Sequence, residues 1–168
     1  MAKPLAKAGL RPFLPTDTAL LAEIFRASIE ELTAEDYSEA QQAAWMAAAD
    51  DEAAFGKRLG AGLTLVATVA GAPVGFVMLK GTETLDLLYV HPGAARHGIA
   101  TMLCDAIEQL AKARGAAKLT VDSSDTAEPF FRRRGFEAQQ RNTVVVADEW
   151  LGNTTMRKTL AGAERPDA

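Results

Sequence analysis

At 168 residues, 48% hydrophobic and 24% charged, the chain has the size and make-up of a globular protein that buries a core without staples. A single cysteine, Cys104, excludes an internal disulfide, and with only His91 and His97 as imidazoles no protein-held transition metal is expected. The net charge of −4 argues against nucleic acid as the main partner. The N-terminus lacks a signal-type apolar core and no run approaches membrane-spanning length, so a cytoplasmic protein without a membrane partner is expected.

No internal repeat or linker divides the chain, which reads as one domain over 1–168 with loose ends at about 1–9 and 162–168. Leu10–Phe13 is a short strand. Thr16 or Asp17 then caps a helix whose apolar residues Leu20, Leu21, Ile24, Phe25 and Ile29 recur at helical spacing. A second helical region holds Ala40, Ala43, Ala44 and Trp45, and a third runs from Asp51 to Leu59, closed by Gly60–Gly62. Leu63–Val69 and Val74–Leu79 form a hairpin about Gly71-Ala72-Pro73, and Leu85–Val90 is the next strand. Gly98–Arg114 carries the clearest helical stripe, with Gly115 as its stop. Lys118–Val121 is a strand, Thr126–Arg134 a short helix ended by Gly135, and Phe136–Val146 and Asn153–Leu160 are closing strands. This order predicts an α/β sandwich: a mixed sheet of six to seven strands with helices on both faces.

The stretch LDLLYVHPGAARHGIATM, Leu85–Met102, points most directly to chemistry. A strand that loops tightly into a helix leaves the helix's first N–H groups unpaired beneath the positive end of its dipole. Such an end receives phosphate. The loop adds Arg96 and His97, and no Asp or Glu between Gly93 and Met102 competes for those amides. A phosphate-bearing cofactor is therefore expected at Arg96, His97, Gly98, Ile99, Ala100 and Thr101.

Two motifs carry a family resemblance: Leu88-Tyr89-Val90-His91-Pro92 followed by Ala95-Arg96-His97-Gly98-Ile99-Ala100, and Phe130-Phe131-Arg132-Arg133-Arg134-Gly135-Phe136. Together, in this order of elements, they resemble the GNAT superfamily of acyl-CoA-dependent N-acetyltransferases. The resemblance implies an acyltransferase that moves an acetyl group from acetyl-CoA to an amine of a small molecule or peptide, by direct attack through a tetrahedral intermediate and without metal. It implies that the backbone of Leu88, Tyr89 and Val90 pairs with the pantetheine arm, and that Ser124 and Phe131 lie on the cofactor's other side. The pattern departs at Ala95, where Arg or Gln is usual, at Ser124 in place of Asn, and at Phe131 in place of a Tyr. Ala95 and Phe131 leave a second reading open, an acyl-CoA-binding sensor without turnover.

Asp86 interrupts an apolar strand, where a carboxylate is costly unless paired or employed. Alternation puts it on the face of Thr84, Leu88 and Val90 unless a bulge intervenes. It is either a base or ammonium anchor, or half of a structural ion pair, with Glu83 at the strand's mouth as fallback. The resemblance puts Tyr37, Trp45 and Trp150 around the acceptor, and Tyr37 is also a candidate proton donor. Cys104 reads as a small buried residue, and the absence of a G-x-S-x-G elbow argues against a hydrolase. An exposed edge among the closing strands is where a second copy would pair.

Overall fold

The computed structural model describes residues 7–160. Seven strands form one sheet: β1 (Ala8–Pro12), β2 (Leu63–Val69), β3 (Ala72–Lys80), β4 (Thr84–Val90), β5 (Lys118–Ser124), β6 (Glu137–Val146) and β7 (Glu149–Thr159). Their spatial order is β1-β2-β3-β4-β5-β7-β6, antiparallel throughout except between β4 and β5. The helices are α1 (Thr18–Leu32), α2 (Glu39–Met46), α3 (Glu52–Gly60), α4 (Ile99–Ala113) and α5 (Glu128–Arg133). The expected mixed sheet of an α/β sandwich is the one observed.

Two apolar cores hold helices to opposite faces. On one face Leu21, Phe25 and Ile29 of α1 and Phe55 and Leu59 of α3 pack on Val66, Phe76 and Leu87. On the other Ile99, Leu103, Ile107 and Ala111, one stripe of α4, pack on Val77, Leu79, Leu119 and Val121. Each such Val, Leu, Ile or Phe side chain, fully removed from water, contributes about 1.5–3 kcal/mol. Phe131 and Phe136 close this second core as an edge-to-face pair with ring centroids 5.1 Å apart.

Several boundaries differ from expectation. Ala8 and Gly9 pair with Val69 and Thr68, so β1 takes in two residues of the expected N-terminal loose end; 1–6 and 162–168 lie outside the described residues. β5 runs on to Ser124 because β7 pairs with it along its whole length, and α5 is correspondingly shorter than the expected helix. β7 begins four residues early, at Glu149. The turn before it is Ala147–Asp148, with φ of 45° and 71°. Two consecutive positive φ values give the tight hairpin twist that Asn-Gly pairs normally signal.

Two irregularities in the sheet's middle create the site. β3 and β4 pair Met78 with Leu87 but Leu79 with Leu85, so Asp86 is an extra residue, a bulge. β4 and β5 pair only at Thr84 with Thr120 and Leu85 with Val121. From Asp86 onward the two strands part, and the sheet opens.

Candidate active site

The opening is a cleft of about 490 Å³. Its walls are β4 from Leu85 to Val90, β5 from Val121 to Ser124, the start of α4, the C-terminal turn of α1 and the face of α5. Leu88, Tyr89 and Val90 pair with Val77, Phe76 and Gly75 on one side only. Their other backbone edge faces the cleft as an unpaired strand edge.

The α4 end of the cleft is an uncapped helix N-terminus. Gly98 is the helix N-cap at φ 81°, with no side-chain cap and no acidic residue in the first turn. A Cβ on Gly98 would meet nothing within 4 Å. Its backbone angle favours glycine, and the space before the amides stays clear. Arg96, Gly98, Ile99, Ala100 and Thr101 all line the cleft. Arg133 of α5 lines it too, whereas Arg132 pairs with Glu128 and Arg134 with Asp105 and Glu108. The three arginines therefore form no common patch.

At the other end stands Asp86. The bulge separates it from Leu88 and Val90, which pack toward α4, and turns it toward α3. Strict alternation is thereby broken. Its Oδ2 accepts from Arg58 Nε and lies 3.2 Å from the second guanidinium nitrogen, while the carboxylate still lines the cleft. Asp86 is thus half of an ion pair and also a cleft-lining carboxylate. Beside it the Tyr89 hydroxyl accepts a 3.2 Å hydrogen bond from Trp45 Nε1. Burial pushes the Tyr89 hydroxyl up to about 12, so it keeps its proton at physiological pH.

Other expected residues lie elsewhere. The Tyr37 hydroxyl donates to the Gly152 carbonyl at 2.7 Å and accepts from Asp125 N–H at 2.9 Å. It is bound on both sides by backbone, does not line the cleft, and reads as a brace instead of a proton donor. Burial raises its titration as well. His97 is exposed outside the cleft lining, so the cation of the loop is Arg96. Glu83 sits at the closed end of β4, 3.6 Å from Lys118, away from the opening. Trp150 is 64% exposed near the β6–β7 turn and is not part of the cleft lining; its carbonyl accepts from Gln41 Nε2. Phe131 is buried in the cleft floor, and Ser124 lines the wall while its Oγ accepts from Ala127 N–H. Cys104 is buried with its thiol pushed up to about 12 by burial, and so is no nucleophile. Arg58 and Ser28, both at the site, carry no sequence signal: one is an ordinary last-turn cation, the other a serine inside a helix.

The family description "Acetyltransferase (GNAT) domain" matches residues 33–160. The chain belongs to the GNAT acetyltransferases. The uncharacterized N-acetyltransferase YafP of Escherichia coli K12 is 33% identical over 148 residues, 88% of this chain and 93% of that one. The GCN5-related N-acetyltransferase of Rhodopseudomonas palustris is 56% identical, with a TM-score of 0.91 over 95% of this chain and 100% of that one. PaiA N-acetyltransferase of Thermoplasma acidophilum, solved in complex with coenzyme A, shares the fold at 18% identity, with a TM-score of 0.77 over 91% of this chain and 99% of that one. This GNAT chain is accordingly an acyltransferase. Among the described residues no group of three His, Cys, Asp or Glu stands close enough to hold a metal, and no helix is long and apolar enough to cross a membrane.

Proposed function

We propose that this GNAT enzyme acetylates a primary amine of a small molecule or peptide, using acetyl-CoA, by direct attack in the β4–β5 cleft. The observation that carries the reading is the junction of an uncapped α4 N-terminus with the unpaired edge of β4, in one cleft with Asp86. That junction fits the coenzyme: amides and a cation for its diphosphate, a strand edge for its amide-bearing arm. The coenzyme A held by the PaiA fold relative is consistent with it. Acetyl-CoA supplies an activated acetyl thioester when bound.

The chain's own groups do the rest. The amides of Gly98–Thr101 and the Arg96 guanidinium hold phosphate. The bulge frees backbone polar groups beside Asp86, and a donor there that reaches the acyl oxygen contributes about 3–4 kcal/mol. An alkyl ammonium of pKa ~10.4 must shed a proton, which costs about 4–5 kcal/mol at pH 7. Asp86, whose Oδ2 holds Arg58 while Oδ1 stays available, anchors the ammonium and takes part in removing that proton. An ordinary thiol of pKa ~8.5 needs only about 2 kcal/mol of help to leave as the neutral species, so Phe131 lacks a hydroxyl at modest cost. The test is thiol release from acetyl-CoA across a panel of amines, with CoA binding followed by thermal shift. Release with at least one amine is expected. Tight CoA binding with no release from any amine overturns the proposal.

A further inference from the structure

The acceptor end of the cleft holds more hydrogen-bonding capacity than anchoring an ammonium requires. Tyr89's hydroxyl accepts from Trp45 Nε1, and among the described residues its own proton goes to no acceptor. Ser28, one helix away on α1, is 8% exposed, lines the same cleft, and makes no side-chain hydrogen bond among the described residues. Its neighbours behave otherwise. Thr18 and Thr33, at the two ends of α1, return their hydroxyls to carbonyls three and four residues back, at 2.8 and 2.6 Å. A buried hydroxyl that declines this local bond is open to a ligand.

The charges beside these donors are already committed or negative. Arg58 is engaged by Asp86, and Asp122 places a second carboxylate on the lining. The cations that line the cleft, Arg96 and Arg133, belong to the phosphate loop and to α5. Among the described residues, a carboxylate on the acceptor therefore meets at this end a guanidinium already paired with Asp86 and a second carboxylate, while a neutral oxygen finds two donors.

From this we infer that the preferred acceptor is an amine carrying an uncharged oxygen acceptor close to the reacting nitrogen, in the manner of an α-amino carboxamide, with Tyr89 and Ser28 as the groups that select it. The inference rests on the acetyltransferase reading above. It names the acceptor's chemistry: an ammonium for Asp86, a carbonyl oxygen for Tyr89 and Ser28, and no carboxylate. Both small amino amides and peptide N-termini carry that pattern.

The test compares kcat/KM for glycinamide, propylamine and glycine with acetyl-CoA, each referred to the concentration of neutral amine to correct for protonation in solution. Glycinamide is expected to exceed glycine by at least about tenfold. Y89F is expected to lower the glycinamide-to-propylamine ratio about five- to tenfold, mainly through KM, the range of one lost hydrogen bond to a buried donor. S28A is expected to lower it by a smaller factor in the same direction. The ratio compares two substrates on one sample, so partial loss of folded protein cancels. Propylamine turnover with an unmoved ratio in both variants overturns this inference and leaves the acetyltransferase reading standing; so does glycine used as well as glycinamide. No thiol release with any of the three, alongside CoA binding, overturns both. A blocked glycyl tripeptide amide separates the two sources: faster than glycinamide assigns peptide N-termini, slower assigns small amino amides, and either order upholds the class.

Discussion

Replacing Gly98 with alanine separates the two things that glycine does. At φ 81° an L side chain is strained, by about 1–2 kcal/mol. For a chain of this length that predicts a Tm lower by about 2–8 °C. No protein atom lies within 4 Å of the added methyl, so contact inside the protein contributes nothing further. A diphosphate seated on the α4 amides must share that space, and the methyl is expected to weaken CoA by at least about tenfold, or ~1.4 kcal/mol. Gly115, just beyond the far end of α4, provides the control: φ is 90° and its surroundings are equally open. Gly115→Ala should cost comparable stability and leave CoA affinity alone. Scanning fluorimetry and titration calorimetry on the two variants read both quantities. If Gly98→Ala lowers Tm as expected yet binds CoA within twofold of the parent, the coenzyme does not approach this turn and the anion-receptor argument fails.

Asp86→Asn should lower kcat/KM for an alkyl amine at least tenfold while CoA affinity holds; equal kinetics would move the proton-handling role to another group. Arg96→Ala should weaken CoA in calorimetry, and unchanged affinity would show that the loop works through its amides alone. Tyr37→Phe leaves the Gly152 carbonyl and the Asp125 amide without their shared partner and should cost about 1–3 kcal/mol in urea unfolding. The Arg11 guanidinium, chiefly by hydrogen bonding, holds the Asp17 carboxyl below the usual carboxylate range. A depressed folded-state value makes the pair's contribution complete above about pH 4, with loss as pH falls through that lower value. Asp17→Asn should therefore shrink the stability difference between pH 6 and pH 3, and an unaltered acid limb would contradict the assignment.

The strand–loop–helix at 85–102 was legible because each of its signals is local: an apolar run, Pro92, Gly98, then a helical stripe. The residues that the cleft brings together from Leu88 to Thr101 follow from that one segment. What could not be read is set by pairings distant in sequence. Alternation gives Asp86 a face only if no bulge intervenes, and a bulge is a property of two strands together. Tyr37 carries the right chemistry for a proton donor, but its partners lie 88 and 115 residues away, and they occupy it fully. Glu83 was near Asp86 in sequence yet lies at the end where β4 and β5 stay paired. The early start of β7 carries no sequence signal because Ala147 and Asp148 make a hairpin turn without glycine.

The parting of β4 from β5 also sets how the two halves of the sheet hold together. Only two residue pairs join the half carrying β1–β4 to the half carrying β5–β7 within the sheet, so the seam's strength falls to the side chains that bridge it, Tyr37 among them. A ligand arm lying along β4 would supply rungs that the ladder lacks. Filling the cleft should then slow deuterium uptake along both strands at once, making the bound coenzyme a structural staple as much as a reactant.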